Sequence, residues 1–388
     1  MKKLIKSLLQ KPLILLKDVW FVSPEKCKFS VWYRDELVVQ GSENSNYKHI
    51  PELSSEPVVW KSYSPVELSG VCVLPSGKLL MCKPLNHLQH HPDSRKAIVC
   101  TKSYRPLEYP HLQSLTYFLG LIRSNFSHWT KKENSVTIFG KVALLGNSVW
   151  ENTNYYHFWS DVIVDIWYIK QHLPANHQPD YYLVPHSNTP WQWDVMNLCG
   201  IQESQVIPYA KHDVVTVGEL IIPIRDKGSV NLPPWLCHAI HEMSGWLPRS
   251  PKGKRLIFVS RADASRRRVA NESILRDLLY EKGFEVHTLN GLSLAEQQQL
   301  FSSASIICAP HGASLTNLVW CNPGAVVIDF LSEKHLNPCF KILAEQNKLI
   351  YYPYICRQVE SDDSGITGDI VVSNDQVESV LKIVNFFA

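Results

Sequence analysis

Apolar runs of three to six residues alternate with amphipathic segments through the last third of the chain. Such runs predict buried strands, and apolar residues at helical spacing predict the helices between them. The predicted strands cover residues 255–260, 284–287, 306–308, 325–329 and 349–352, and helices are predicted over 272–282, 293–303, from 313 onward, over 337–346 and from about 375. Strands that alternate with helices form a parallel, doubly wound sheet. The pattern therefore predicts an α/β fold.

The first part of the chain has a different pattern. Between residues 20 and 150, short alternating runs are broken by Pro, Ser and Gly, which predicts a β-rich region. Two of these runs, 136–139 and 142–145, predict a hairpin. A long helix is predicted over residues 155–172, because its apolar residues recur at helical spacing.

Four prolines, at positions 233, 234, 248 and 251, bracket a short predicted helix and predict the connection between two domains. A length of 388 residues suits two domains, given a prior of about 150 residues for each. We therefore predict a first domain at 1–248, with a β-rich start followed by α/β structure. A second, Rossmann-like domain is predicted at 249–373, followed by a C-terminal helix at 374–388.

Composition limits the kinds of molecule that this protein is expected to bind. The formal net charge of +3 is too small to predict a nucleic-acid partner, and a hydrophobic fraction of 45% is typical of a globular protein. The ten cysteines are scattered and form no Cys-x-x-Cys pair. They are predicted to be reduced thiols, and no zinc site is expected.

The N-terminal segment, residues 1–18, combines lysines with short apolar pairs. Its longest apolar run has four residues, far fewer than the roughly 20 that a membrane span needs. No small-residue cleavage site follows, so no signal peptide is predicted. Two interpretations stay open, a helix packed on the domain and a peripheral contact with an anionic membrane surface. We expect a cytoplasmic location, at the inner face of the membrane under the second interpretation.

Polar residues end three of the predicted strands. Ser260-Arg261, His311 and Asp329 each fall at a carboxyl end, and ligands of doubly wound sheets bind at that edge. After His311, the small residues Gly312 and Ala313 would let a ligand approach the free backbone amides at the start of a helix. This strand–turn–helix segment therefore predicts a phosphate site. The alternative is a tight turn between two core elements.

Residues 249–268 contain eight basic residues and a single acidic one, Asp263. The planar guanidinium of arginine suits diphosphate oxygens, which develop charge as a leaving group departs. A solvated basic loop is the alternative, and the position at a strand end favours the diphosphate site. In the helix that follows, Asn271 is expected to act as the N-cap.

No metal or nucleotide-binding fingerprint accompanies the basic loop. The chain has no Asp-x-Asp pair at a predicted strand end, so no divalent cation is expected. His87, His90 and His91 lie in a polar segment without a partnered carboxylate, and no metal site is predicted there. The absence of Gly-x-x-x-x-Gly-Lys and Gly-x-Gly-x-x-Gly argues against ATPases and nicotinamide enzymes.

A candidate proton acceptor lies at the start of the long predicted helix. His157 and Asp161 are four residues apart and therefore share one helix face. A carboxylate or histidine at that point could accept a proton from an attacking hydroxyl. A pair that only stabilises the helix start is the alternative, and Asp165, one turn further, is the nearest competitor.

Together these motifs resemble those of the family 61 glycosyltransferases, over roughly residues 140–355. The matching stretches are Asn154–Asp161, Ser260-Arg261 with Arg267–Glu272, Ala295–Gln297, Ala309–Asn317 and Gly324–Asp329. Asp329 stands where many members carry Glu. The resemblance implies a GT-B fold, in which two Rossmann-like domains face a cleft. It also implies inversion at the anomeric carbon, with no obligatory metal or other cofactor.

The resemblance also implies roles for individual residues. Asp161 is expected to be the catalytic base, and His157 to orient the acceptor or the carboxylate. The residues expected to bind the donor are Arg261, Arg267, Arg268, His311, Gly312, Ala313, Asn317 and Asp329.

The expected function is that of an inverting, metal-independent glycosyltransferase. It would move a sugar from a nucleotide-diphosphate donor, with uridine diphosphate as the expected carrier, to a glycan or glycoconjugate in surface polysaccharide biosynthesis. The alternative is a non-catalytic protein on the same fold that binds nucleotide or anionic glycan. Loss of the acidic residue that faces the cleft would favour that alternative, and Asp161 is present.

Overall fold

The computed structural model describes most of the chain from residue 134 onward and parts of what precedes it. The described ranges are 69–82, 96–104, 134–146, 154–208, 212–227, 232–248, 253–359 and 368–387, with 30–32, 58, 60, 106–107, 123 and 230. Within them the chain forms two compact units that divide after Lys227. Each unit has its own sheet, which confirms the predicted α/β class.

Eight described strands form the sheet of the first unit. They are β1 (Ser30–Trp32), β2 (Gly70–Pro75), β3 (Lys78–Cys82), β4 (Lys96–Cys100), β5 (Ser135–Leu144), β6 (Tyr181–Val184), β7 (Val206–Pro208) and β8 (Val214–Ile224). The pairs β8–β5, β5–β6 and β6–β7 are parallel. The pairs made by β1, β2, β3 and β4 are antiparallel. A β-rich start therefore joins a parallel α/β part, as predicted.

The hairpin predicted at 136–145 is wrong, because the structure has one continuous strand there. β5 runs through Gly140, whose φ of 112° lies in a region that side-chain-bearing residues rarely adopt. Its register with β8 shifts between Ile138 and Lys141, which is a bulge rather than a turn. The two apolar runs on either side of the glycine thus pair with the same neighbour.

Helices of the first unit follow the parallel strands. The long predicted helix consists of α1 (Tyr155–His157), a π-helical segment (Phe158–Ile163) and α2 (Val164–His172), with right-handed helical backbone at both junctions. α3 (Pro190–Leu198) lies between β6 and β7, and short 3₁₀ turns cover Ala175–His177 and Glu203–Gln205.

Six described strands form the sheet of the second unit, in the order β10-β9-β11-β12-β13-β14. They are β9 (Arg255–Val259), β10 (Phe284–His287), β11 (Ala304–Pro310), β12 (Val326–Ser332), β13 (Ile350–Gln358) and β14 (Ile370–Val371). All pairs are parallel except β13–β14. The chain order reverses between β9 and β11, and ligands of such sheets bind outside the strand ends at that switch point.

Helices precede, separate and follow the strands of the second unit, in the alternation that the sequence pattern predicts. They are α4 (Leu236–Ser244), α5 (Glu272–Glu281), α6 (Leu294–Ser302), α7 (Cys339–Gln346) and α8 (Asn374–Phe387), with a 3₁₀ helix at Ala313–Trp320. α5 and α8 bury their apolar side chains with the Ile306 and Val326 face of the sheet. Because side chains alternate along a strand, Ile307 and Asp329 point to the opposite face.

The division between the units precedes the predicted boundary at residue 248. α4 is part of the second unit because it packs there. The amide of Cys237 donates to Oε1 of Gln346, and His241 Nε2 lies 2.6 Å from the carbonyl oxygen of Val319. The C-terminal helix, predicted as a separate element, also adds its apolar residues to the core of the second unit.

Several sequence predictions concern segments outside the described residues. They are the N-terminal segment 1–18, the histidines at 87, 90 and 91, and most of the β-rich region before residue 134. Among the helices that are described, none is both long and apolar enough to cross a membrane. The nine described cysteines are buried free thiols.

Candidate functional site

The carboxyl ends of β9 and β11 bring Arg261 and Gly312 into contact. Phe258 of β9 pairs with Cys308 of β11, so Arg261 emerges level with His311. A Cβ atom added to Gly312 would lie 2.0 Å from Nη1 of Arg261. The backbone of Gly312 is extended, with a φ of −179°, so glycine is needed here for space rather than for conformation. Any larger residue would displace the guanidinium.

Arg261 and Arg267 are half-buried residues whose Nε atoms are enclosed. Nε of Arg261 and Nε of Arg267 are both buried and have no hydrogen-bond partner in the described part of the chain. Burial, and next the charge of Arg266, lowers the pKa of Arg261. Burial, followed by repulsion from Arg261 and Arg266, lowers the pKa of Arg267 to about 10. The charges of Asp263 and Asp369 offset part of this effect at Arg261, and that of Asp329 does so at Arg267, so what is unmet is a hydrogen-bond acceptor for each Nε atom.

The loop that carries these arginines is held by its neighbours. Ser260 Oγ donates to Oε1 of Glu272 at 2.5 Å and accepts from the amide of Ala262 at 3.0 Å. Asn271 occupies the N-cap position of α5, but its side chain bonds the backbone N and O of Val372 instead of capping the helix. The predicted capping bond is therefore absent, and the side chain ties the loop to the strand region near β14.

Arg267 has a φ of 54°, a left-handed conformation that is strained for an arginine. Strained backbone of this kind is concentrated at ligand sites, where the surrounding structure maintains it. Arg268, the next residue, is oriented differently. Its Nη2 and Nε lie 2.9 and 3.0 Å from Oδ2 of Asp369. Of the two adjacent arginines, only Arg267 lies half-buried beside Arg261.

His311 is buried in a hydrogen-bonded network behind the Gly312 turn. Its amide donates to the carbonyl of Phe330, and Nδ1 lies 2.9 Å from Oδ2 of Asp329. The hydroxyl of Tyr351 donates to the same oxygen at 2.6 Å. Nε2 of His311 lies 3.9 Å from Sγ of Cys339. Neither Tyr351 nor Cys339 was predicted, since no local pattern marks a contact between distant strands.

Asp329 lies within a strand rather than at its end. β12 continues for three residues beyond it, because Phe330, Leu331 and Ser332 pair with β13. Asp329 is fully buried, with 0% exposure. Its carboxylate therefore contacts His311 and Tyr351 rather than solvent.

Asn317 is also wholly buried, in the 3₁₀ helix that begins at Ala313. Its Nδ2 donates to Oε1 of Gln297 at 2.9 Å, and its Oδ1 accepts from Nε1 of Trp320 at 3.1 Å. These bonds attach the turn after β11 to α6. The structure thus brings Arg261, Arg267 and Gly312 together, with Asn317 in a bracing position.

The first unit holds the predicted proton acceptor on an unusual helix. His157 Nδ1 and Asp161 Oδ2 are 2.6 Å apart, and Ser160 Oγ donates to Asp161 Oδ1 at 3.1 Å. Asn154 caps the helix through the amides of Tyr156 and His157. Asp161 belongs to the π-helical segment, and π turns within helices are frequent at functional sites.

Exposure differs between the two members of the His157–Asp161 pair. The side chain of His157 is 19% exposed and that of Asp161 only 2%. The imidazole thus covers the carboxylate, and the pair presents His157 outward. A hydrogen-bonded His–carboxylate pair can accept a proton at either member.

Asp165, the competing acid, is neutralised by two cations. Its Oδ1 accepts from Nε of Arg225 at 2.7 Å, and its Oδ2 accepts from Nζ of Lys227 at 2.5 Å and from the amide of Gly146 at 3.0 Å. Arg225 also donates to the carbonyl of Ser160, the residue before Asp161. This buried cluster is structural. The charged Arg225–Lys227 stretch at the end of apolar β8 was the sequence signal that could have revealed it.

Part of this chain is similar to known proteins. Residues 155–328 match the protein family described as Glycosyltransferase 61. The rice protein "Beta-1,2-xylosyltransferase RCN11", from Oryza sativa subsp. japonica, is 26% identical over 121 residues. That match covers 27% of this chain and 23% of the rice protein. The family match begins two residues before His157 and ends one residue before Asp329.

We predict that Asp165→Asn lowers the free energy of unfolding by about 3–5 kcal/mol, because it leaves two buried cations without a counter-charge. Urea unfolding of the whole chain measures this change. Asp194→Asn is the matched control, since Asp194 is exposed on α3 and its replacement should change stability by less than about 0.5 kcal/mol. Equal stability of the two variants would contradict the structural role of Asp165.

Proposed function

We propose that this chain transfers a sugar from a nucleotide-diphosphate donor to a glycan or glycoconjugate acceptor. The proposal starts from its membership of glycosyltransferase family 61, which rests on residues 155–328. Uridine diphosphate is the proposed carrier, and the proposed reaction inverts the anomeric carbon without a metal. The proposal extends to a GT-B arrangement, a role in surface polysaccharide biosynthesis and a cytoplasmic location at the membrane face.

The observation that carries the proposal is the half-buried pair Arg261 and Arg267, whose Nε atoms are enclosed. Both Nε atoms lack partners within the described residues, and an unmet buried donor costs about 1–3 kcal/mol. A diphosphate would supply acceptors to both guanidinium groups and remove their mutual repulsion. The pair lies at the switch point between β9 and β11, where doubly wound sheets bind ligands.

The chemistry of single displacement assigns a role to each unit. An acceptor hydroxyl attacks the anomeric carbon and gives its proton to Asp161, while the bond from that carbon to the diphosphate oxygen breaks and its electron pair leaves with the diphosphate. Arg261 and Arg267 would stabilise the negative charge that develops on the leaving group. His157, hydrogen-bonded to Asp161, would orient the carboxylate or the hydroxyl.

A second candidate, a non-catalytic binder of nucleotide or anionic glycan, is favoured by the burial of Asp161. An acid that is 2% exposed and bonded to both His157 and Ser160 resembles a structural group. The arginine pair would bind a diphosphate equally well in such a protein. Activity of the Asp161 variant separates the two candidates.

We predict that Arg261→Ala weakens binding of uridine diphosphate by about 1.5–3 kcal/mol, the range for hydrogen bonds to charged groups. Isothermal titration calorimetry measures this affinity. The control is Arg276→Ala, since Arg276 is exposed on α5 in the same unit and should leave the affinity unchanged. Wild-type affinity in Arg261→Ala would remove this residue from the site.

We predict that Asp161→Asn reduces transfer by about 10²–10⁴-fold, the usual contribution of a general base, while binding of uridine diphosphate survives. Transfer is measured as sugar incorporated into acceptor, after a screen of nucleotide sugars for release of free nucleoside diphosphate. Asp194→Asn serves again as the control. Near wild-type transfer by Asp161→Asn would shift the role of base to His157, and absence of transfer by the wild-type chain would favour the binder.

We predict that EDTA leaves turnover essentially intact, because arginines rather than a cation would neutralise the leaving diphosphate. Initial rates with and without chelator test this point. Complete loss of activity in EDTA, restored by manganese, would mean that a carboxylate pair holds a metal.

A further inference from the structure

The hydroxyl of Tyr351 points into the centre of the second unit. Tyr351 pairs with Val327 across β13 and β12, so its ring lies on the same sheet face as Asp329, two residues further along β12. Its hydroxyl donates to Oδ2 of Asp329 at 2.6 Å. Burial, and then the charge of Asp329, raises the pKa of Tyr351, so this hydroxyl keeps its proton and remains a donor.

Two hydrogen-bonding groups meet at one oxygen of Asp329. Besides the Tyr351 hydroxyl, Nδ1 of His311 lies 2.9 Å from Oδ2, whereas Oδ1 has no partner in the described part of the chain. A carboxylate oxygen only accepts, so the short contact with His311 requires a hydrogen on Nδ1. Nε2 is then the ring nitrogen left for a ligand.

Nε2 of His311 lies beside Cys339, a residue that is itself within electrostatic reach of Arg267. It lies 3.9 Å from the thiol of Cys339, at the first residue of α7. Arg267 is within electrostatic reach of both Cys339 and Asp329. Burial raises the pKa of Cys339, so the thiol stays neutral and adds no competing negative charge.

We propose that Tyr351 and Asp329 are positioning residues that fix the Nδ1–H form of His311 and aim its Nε2 at the donor diphosphate. The proposal rests on the function proposed above. When the diphosphate is bound, the ring carries a hydrogen on both nitrogens, so that Nδ1 donates to the buried Asp329 and Nε2 donates to a phosphate oxygen. Tyr351 keeps the Asp329 carboxylate in place and does not touch the ligand.

The first test observes the ring itself and needs no ligand. In protein labelled with ¹⁵N-histidine, the ring resonances of His311 are assigned by their loss in His311→Gln. We expect a hydrogen-bonded proton on Nδ1 that persists in the full-length free protein. A neutral ring protonated only on Nε2 would overturn the proposal, whatever the outcome of the binding measurements.

The second test compares matched tyrosine variants on β13. Tyr351→Phe should weaken uridine diphosphate binding by about three- to tenfold, the value of one hydrogen bond. Tyr354→Phe is the control, because its hydroxyl makes a bond of similar length, 2.7 Å, to Ser379 on the other face of the strand. That variant should bind as the wild type does, and equal affinities of the two variants would contradict the proposal.

A double-mutant cycle shows whether Tyr351 acts through His311. With His311→Gln already present, Tyr351→Phe should cause no further loss of affinity. Additive losses would mean that Tyr351 contributes independently of the ring. If the wild type binds no nucleoside diphosphate, the proposed function fails, and the ring spectra still decide the state of His311.

Discussion

The carboxyl edge of the sheet in the second unit is organised around two half-buried guanidinium groups of like charge. Arg261 and Arg267 lie side by side at the carboxyl edge of the sheet, and burial together with like charge lowers the pKa of both. Neighbouring features keep them there. Gly312 leaves space for one guanidinium, Ser260 and Asn271 tie down the loop, and Arg267 is held in a strained conformation. A bound anion would satisfy the two unpartnered Nε atoms and offset the like charge, which supports the donor-binding role proposed for this loop.

The two acids of the long helix show how environment separates similar residues. Asp161 and Asp165 are four residues apart and both are buried. Asp165 is bonded to two cations and a backbone amide, so both of its carboxylate oxygens are engaged within the protein. Asp161 is instead paired with His157, whose side chain is 19% exposed. The role proposed for Asp161 and the structural role of Asp165 thus follow from their partners rather than from the residue type.

Local periodicity predicted the second unit well and the first unit less well. The strands of the second unit are short apolar runs, of which β11 and β12 are buried along their whole length. The strands β9, β10, β11, β12 and β13 appear where these runs occur. Contacts between separate strands have no local signal, so the Tyr351–Asp329 bond and the Arg268–Asp369 pair were not predictable. The hairpin at 136–145 failed because a glycine was interpreted as a turn, whereas a bulge within one strand also needs such a residue. For the candidate site, residue types predicted Arg261, His311 and Gly312, and only three-dimensional contacts separated Arg267 from Arg268.

The π-helical segment has a consequence for the length of the chain around residue 160. The amide of Val164 donates to the carbonyl of Trp159, five residues earlier, so this turn accommodates one residue more than an α-turn does. Each residue of an α-helix advances the facing direction by about 100°. Because the π turn needs one more residue to complete the same rotation, removal of a single residue from 158–163 would restore a regular helix and leave the His157 and Asp165 ends facing nearly the same directions. The extra residue thus widens the turn that carries Asp161, and the helix on either side keeps its register.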